Sequence, residues 1–422
     1  MKYRKPSIPA LIKTILIAAV AMGFGAMPDA AAEPIGTITV NAGGVDRVDH
    51  AVSVALPNEV NAHRAMRVEE IDGDERRPVP HQIEPARGGE PARLWILLDG
   101  ETGARETRTF ALSYGLPAQG ESVEIVFDNQ SLLMQLGGQT MFHYNHLHVL
   151  PPEDVEPAFV RSGYIHPVYS PSGLLVTEDF PRHRHHKGVW FPWTRTEFEG
   201  REIDFWNLGQ ETGTVQFAGF ETVTSGPVFG HLIARHEHVD LTQGHGKTAL
   251  NETWDVRAYN AGGPQEGWWK WDLTAAQECA TDSPLELLEY HYGGLGFRGA
   301  AEWVDDNHVI LTSEGHTKAD GHTERSRWAA HSGEIEDGGA ATVVIMVHPD
   351  NERFPEPMRI WDEGGSFFCY SPVQLGDWTL EPGEQYQFRY RFLVHDGEID
   401  ADRAERAWQE FATPAEATLE LE

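Results

Sequence analysis

The chain has little sulfur, few basic residues and no long apolar run. Its 422 residues include only Cys279 and Cys369, which excludes a disulfide framework and a cysteine-based metal site. A single bridge stays open. Both cysteines sit in apolar, strand-like surroundings, Ala275 to Cys279 and Phe367-Phe368-Cys369-Tyr370, where a buried free thiol is equally natural. Lys and Arg number 33 against 65 Asp and Glu, for a formal charge of −32. That imbalance excludes an extended basic face, and with it nucleic acid and anionic membrane surfaces as partners. The longest apolar stretch, Thr14 to Met27, falls short of the ~20 residues a bilayer span needs. There is no repeat of fixed period and no low-complexity tract.

What is present is enough apolar material for a real core: 40% hydrophobic residues and 13 Trp. At about 100–200 residues per domain the length fits two domains. The N-terminus reads as an export signal over residues 1–32, with Lys2, Arg4 and Lys5 before the apolar stretch and the small residues Ala30-Ala31-Ala32 at the cleavage point. Removing it takes away four bases but only one acid, Asp29, so 29 bases face 64 acids and the mature charge is about −35. The expected location is periplasmic or secreted, with no membrane contact after cleavage.

From Val40 onward, short alternating runs recur between Gly, Pro, Asn and Asp punctuation, which predicts an all-β chain. Residues 34–130 are long enough for a small β-sandwich, with Val123 to Phe127 as its last strand and Pro117 to Ser122 as a linker or loop. Residues 131–412 carry many long antiparallel-looking strands, as expected of a large supersandwich of two big sheets. Only the end looks helical, where Ala404, Ala407, Trp408 and Phe411 share one face after the candidate caps Asp400 and Asp402. Residues 413–422 read as a tail.

The chemistry is concentrated between Arg161 and Trp206. Residues 180–196 contain no acid but hold Arg182, His183, Arg184, His185, His186, Lys187 and Arg195. Such a basic island attracts a carboxylate or sulfate even within an acidic protein. Trp190, Phe191 and Trp193 follow, offering flat faces to a sugar ring. Histidines suit proton transfer because the free imidazole titrates near neutrality. They also suit metal binding. His183 and His185 would share a face of an extended strand, whereas His185 and His186 would not. His146 with His148, and His236 with His238, could complete a His-rich pocket.

The string RSGYIHPVYSPSG from Arg161, then TEDFP, then HRHHKGVWFPW ending at Trp193, resembles the PmoA-like family of exported bacterial proteins. YHYGGLGFRG at 290–299, MVHPDNERFPEP at 346–357 and LEPGEQYQFRYRFLVHDG at 380–397 resemble it too, and VPHQIE at 79–84 is similar to a β-sandwich module of longer members. This chain carries Arg182 where the family commonly has Asp. The family is labelled after a methane oxygenase subunit, but an oxygenase of that kind needs several spanning helices, which this sequence does not encode. The resemblance implies instead a supersandwich like that of galactose mutarotases, and occurrence among polysaccharide degraders.

Two functions follow. In the first, an exported carbohydrate-active enzyme works on an oligosaccharide substrate, one carrying an anionic group. His183 or His186 is the base or acid and His166 or Glu289 its partner. Tyr164 and Arg298 orient the sugar, Arg161 and Lys187 bind its negative group, and Trp190 and Trp193 stack on the ring, with His185 also in contact. Elimination beside a uronic carboxylate fits these residue types. Hydrolysis needs two carboxylates, for which Glu178, Asp179 and Glu289 are candidates, and anomeric epimerisation needs one acid and one base. In the second, the protein binds glycans, or a divalent metal at its histidines, without turnover. No cofactor is expected otherwise.

Overall fold

Strand alternation becomes burial alternation as soon as the chain pairs. In Arg47–Ala55, Val52 and Val54 are buried while Ser53 between them is not. The computed structural model describes residues 33–335, 338–361 and 365–422; the expected leader, 1–32, lies outside the described residues.

The described strands form five antiparallel sheets. Two make the N-terminal sandwich: Arg47–Ala55, Arg93–Thr102 and His81–Glu84 in one, and Glu33–Asn41, Thr107–Tyr114, Met66–Asp72 and Glu75–Pro78 in the other. Ile38, Val68, Leu94, Ile96 and Phe110 fill the space between them. The expected tail is the fifth strand of the second sheet. Glu416–Leu421 pairs with Glu33–Asn41 from Gly36↔Leu421 to Asn41↔Glu416, so backbone pairing overrides a segment whose charged composition reads as a loose end. The strand expected at Val123 to Phe127 also belongs elsewhere: Glu124–Phe127 pairs with Ser131–Leu136 in the larger unit.

That unit is a supersandwich. An eight-stranded sheet runs Gly213–Thr224, Phe229–Asp240, Lys247–Gly263, Trp268–Cys279, Gln385–Asp396, Gly339–Val347, Trp328–Ile335, Val309–Thr312. A nine-stranded sheet runs Arg325–Ser326, Glu356–Trp361, Phe367–Tyr370, Leu295–Arg298, Val189–Trp190, Tyr164–Val168, Gln139–Asn145, Ser131–Leu136, Glu124–Phe127. Their facing sides bury Trp254, Trp271, Phe297, Ile345, Phe368 and Phe392, among others. A four-stranded sheet, Arg201–Ile203, Thr196–Phe198, Leu285–Leu287 and Trp378–Leu380, joins the same core.

The far face of the eight-stranded sheet is covered as well. Phe229, Trp268, Trp328 and Met346 pack there against Trp95 and Leu97 of the N-terminal sandwich and against the single α-helix, Ala401–Ala412. Asp400 caps that helix, accepting from the Arg403 amide at 2.7 Å; Ala404 is its fully buried contact. No helix among the described residues is long and apolar enough to cross a membrane. Cys279 and Cys369 are free thiols in opposite large sheets, with Cys369 fully buried.

One buried acid stands apart from the candidate site. Glu356 is 1% exposed and takes hydrogen bonds from Asn351 Nδ2 at 2.7 Å and Tyr390 Oη at 3.0 Å, and burial pushes its carboxyl up to about 7. Its folded value is raised, so its contribution is fully present below the unfolded value near 4.5 and is lost as pH rises through about 7. Glu356→Gln is therefore expected to gain stability over the parent between pH 6 and 8, by on the order of 3 kcal/mol at the alkaline end. Urea unfolding of both proteins across that range checks it; a difference independent of pH contradicts it.

Candidate functional site

The nine-stranded sheet has a second face, turned away from the core. Register fixes what it carries. Trp190 pairs with Gly296 and Gly296 with Cys369, and Cys369 with Arg359, while Arg298 pairs with Phe367 and Phe367 with Trp361. Alternation puts all of these, with Tyr164, on the outer side, and sends Val189, Phe297, Phe368 and Ile360 into the core. Gly296 is required at its position. A Cβ there would lie 2.8 Å from both Trp190 and Trp206, whose rings meet 4.9 Å apart over it.

A strand-free segment, residues 178–187, lies over this face and carries the histidines. Asp179 anchors it twice, accepting from Tyr164 Oη at 2.7 Å and pairing with Lys187 Nζ at 3.0 Å. Glu178 Oε2 takes Nε and a terminal nitrogen of Arg298, each at 2.9 Å. The turn is tight: the His186 amide donates to the His183 carbonyl, and Phe180 holds the left-handed region at φ 52°. A cluster of rings results. His183 stacks on His186 at 5.3 Å, His185 meets His186 edge-on at 4.7 Å, and His186 stacks on Phe367 at 4.4 Å.

The cluster walls a cleft of about 190 Å³, completed by His291, Tyr292, Arg298, Arg359 and Trp361. None of these lining residues is acidic. Arg359 lies 4.4 Å over the Trp361 ring and bonds His322 at 2.8 Å. Tyr292 Oη is met by Asn207 Nδ2 at 3.0 Å, and Asn207 is held in turn by Asp204 at 2.7 Å. Burial lowers the basicity of each imidazole that lines the cleft. It holds His185 down at about 4 and His186 well below its ordinary value, and the Arg298 charge adds to the effect at His183 and His186. His291 is lowered by burial too. Burial also raises the Tyr292 phenol. The cleft thus presents neutral imidazoles, a protonated phenol and two guanidinium groups at pH 7.

Of the residues expected from sequence, the fold brings His183, His185, His186 and Arg298 together. The others lie elsewhere. Trp190 and Trp193 are fully buried, Trp190 under His186 and Trp193 bonding Gln277 from within the core, so neither offers a face to a sugar. Tyr164 is fully buried with its hydroxyl spent on Asp179. Lys187 is likewise enclosed, paired to Asp179 and 3.1 Å over the Phe180 ring, and pushed down to about 8 by burial. Arg161 is 1% exposed and outside the cleft lining. His166 bonds Thr177 at 3.0 Å outside the cleft lining. Glu289 is exposed, its amide on Asp377. His236 and His238 are fully buried on Glu252, at 3.1 and 3.3 Å, and His146 packs against Phe127, Phe217 and Phe220; neither pair reaches the cleft. Among the described residues no group of three His, Cys, Asp or Glu side chains is placed to hold a metal ion.

The residues that sequence reasoning missed are His291, Tyr292, Arg359, Trp361 and Phe367. His291 and Tyr292 lie in the aromatic run before the glycines at 293 and 294, and Arg359 and Trp361 stand two apart on one strand, a visible alternation signal. A second cavity, of about 310 Å³, lies between the N-terminal sandwich and the helix, lined by Val48, Trp268, Lys270, Arg403 and Glu410 among others. Its Lys270 already bonds the Val48 carbonyl and Glu410.

A family model described as a family of unknown function, DUF6807, matches residues 131–409. The chain belongs to that family. The match spans the supersandwich apart from the strand Glu124–Phe127, and most of the helix, including every cleft residue, and brings no activity with it. No curated protein matches the sequence. Two solved structures from Enterococcus faecalis are similar in shape: a protein in glycosyl hydrolase family 38, at 12% identity and TM-score 0.41, and an α-mannosidase, at 12% identity and TM-score 0.42. Each alignment covers 92% of this chain and 47% or 46% of the other, so the chain spans about half the length of either. Likeness at that level carries no argument about activity.

The depressed imidazoles yield a direct test. His185, near 4 when folded and about 6.5 when unfolded, takes no proton between pH 7 and 5 in the native state while the unfolded chain does. Its contribution to stability therefore falls as pH drops through 6.5 toward 4. Imidazole nitrogen NMR is expected to place its midpoint near 4; a midpoint near 6.5 contradicts the enclosed geometry.

Proposed function

We propose that this protein is an exported carbohydrate-active enzyme that acts on an acidic oligosaccharide by histidine-based proton transfer. The observation that carries the reading is a cleft with two guanidinium groups, neutral imidazoles and a phenol, and no lining carboxylate. A cleft of about 190 Å³ has room for a sugar residue rather than a long chain segment. Trp361 supplies the apolar wall against which a ring's C–H surface packs.

Elimination beside a uronic carboxylate suits this set better than hydrolysis, which ordinarily uses a pair of carboxyl groups flanking the bond. Arg298 and Arg359 would bind the uronate carboxylate and stabilise the charge that develops on it as the neighbouring C–H is broken. His183, the most open of the three, would take that proton, with His186 stacked behind it. The carbon–carbon double bond forms as the glycosidic carbon–oxygen bond breaks, and the departing oxygen would receive a proton from Tyr292. The sequence resemblance to a family found among polysaccharide degraders supports this assignment, as does the leader-like N-terminus.

The purified mature protein, offered a panel of uronic and sulfated oligosaccharides, is expected to raise absorbance in the unsaturated-uronate band. His183→Ala and His186→Gln are each expected to lower that rate by about 10²–10⁴ while leaving thermal unfolding in place. New reducing ends without the absorbance rise would indicate hydrolysis instead, and unchanged rates in both variants would remove the histidines from the chemistry.

A further inference from the structure

Tyr292 lines the cleft, and two residues outside the lining hold its hydroxyl. Asn207 Nδ2 donates to Tyr292 Oη at 3.0 Å and to Asp204 Oδ2 at 2.7 Å, which uses both of its hydrogens. Asp204 decides which way that amide faces. A carboxylate only accepts, so the amide atom beside it is the nitrogen, and the same nitrogen then meets the phenol oxygen. Asp204 is itself fixed: Oδ1 takes the backbone amides of Trp206 and Asn207 at 2.9 and 2.7 Å, and Oδ2 also takes Gln210 Nε2 at 3.2 Å.

The turn that follows strand Arg201–Ile203 needs only the backbone part of this set. Asp204 Oδ1 closes it on the two amides whatever side chain stands at 207. The Asn207 side chain reaches on to Tyr292, 85 positions away in sequence. The rest of Tyr292 is held without it. Its carbonyl accepts from the Thr194 hydroxyl, and its ring meets Trp206 at 5.2 Å, Tyr290 at 4.9 Å and His291 at 4.7 Å. What Asn207 adds is control of the hydroxyl. The phenol's own proton faces Asn207 Oδ1 at a longer 3.2 Å, a hold that an acceptor entering the cleft can replace. Burial raises the phenol, the Asn207 bond works against that, and Tyr290 and Asp204 add to the rise.

We propose that Asn207 is a positioning residue for Tyr292, with Asp204 as the lock on its amide: Nδ2 keeps the phenol oxygen in place and stabilises the phenolate that forms when the proton leaves. The proton-transfer step rests on the function proposed above. In it the Tyr292 O–H bond breaks, the proton bonds to the departing glycosidic oxygen, and the electron pair stays on Oη, where the Nδ2 hydrogen meets it in a charge-assisted bond. His183 has by then taken the proton from carbon, and exchange with water returns both groups to their starting forms. A donor that bonds more strongly to the phenolate than to the phenol acts on the transition state rather than on substrate binding, so its loss lowers kcat and spares KM.

Two readouts test this, one of them without turnover. With 3,5-difluorotyrosine incorporated in place of Tyr292, the fluorines bring that phenol's titration below that of the other tyrosines, and fluorine NMR follows it alone. Asn207→Leu is expected to raise its midpoint by about one to two pH units, a ten- to hundredfold loss of phenolate stabilisation. Asp204→Asn, which lets the Asn207 amide reverse, is expected to raise it by less, and serves if Asn207→Leu does not fold. On a short uronic oligosaccharide, with Tyr292 in place, Asn207→Leu is expected to lower kcat about ten- to hundredfold and to leave KM within about twofold. In a Tyr292→Phe background the same change is expected to cost nothing further, because Asn207 acts through the phenol. An unmoved midpoint in a folded variant overturns the inference, and so does an equal loss of rate with and without the phenol. A parent that turns over no uronic oligosaccharide contradicts the proposed function instead, and the fluorine midpoint then still decides the role of Asn207.

Discussion

Desolvation on the outer face of the nine-stranded sheet is the constraint from which the site's chemistry follows. The sheet contributes Tyr164, Trp190, Phe367 and Trp361 there, and the segment 178–187 closes over them. Imidazoles pressed between aromatic rings lose water, and losing water disfavours their charged form. Without that enclosure, the cluster of Arg182, His183, Arg184, His185, His186 and Lys187 would be a solvated basic loop. Asp179 makes the enclosure possible, because it offers the enclosed Lys187 an opposite charge and fixes the Tyr164 hydroxyl at the same time.

The layering explains why this face is the one left free. The N-terminal sandwich and the helix together cover the outer side of the eight-stranded sheet, where Trp268 and Trp328 would otherwise be exposed. The terminal strand Glu416–Leu421 returns the chain to the N-terminal sandwich, where it pairs with Glu33–Asn41 through backbone hydrogen bonds. What remains open is the far side of the other sheet. There a glycine, Gly296, leaves room for Trp190 and Trp206, whose rings meet over it.

The fold class was legible because alternation in a β-chain is a local signal: Val52 and Val54, or the run Gln385–Asp396, announce their buried face residue by residue. The cap at Asp400 and the apolar helix face were legible for the same reason. Pairing partners were not, since the sequence of Glu416–Leu421 carries no mark of the distant strand it joins. In the site, the histidine cluster and Arg298 could be found by their density of chemistry. Depth could not. Trp190 and Trp193 look like sugar platforms in a linear reading, but a strand in a large sheet buries whatever faces the core and whatever the overlying segment covers. Arg359 and Trp361 were missed because the pairing Trp361↔Phe367 and Phe367↔Arg298 that brings them to the cleft is set by sheet order.

The central claim is that the cleft beneath His183 holds the anionic group of a sugar. A crystal structure of the protein with a short uronic oligosaccharide tests it most directly. The account predicts the sugar ring between Trp361 and the histidine cluster, with its carboxylate on Arg298 and Arg359. A sugar seated instead in the cavity beside Lys270, or one whose carboxylate points away from both arginines, would contradict it.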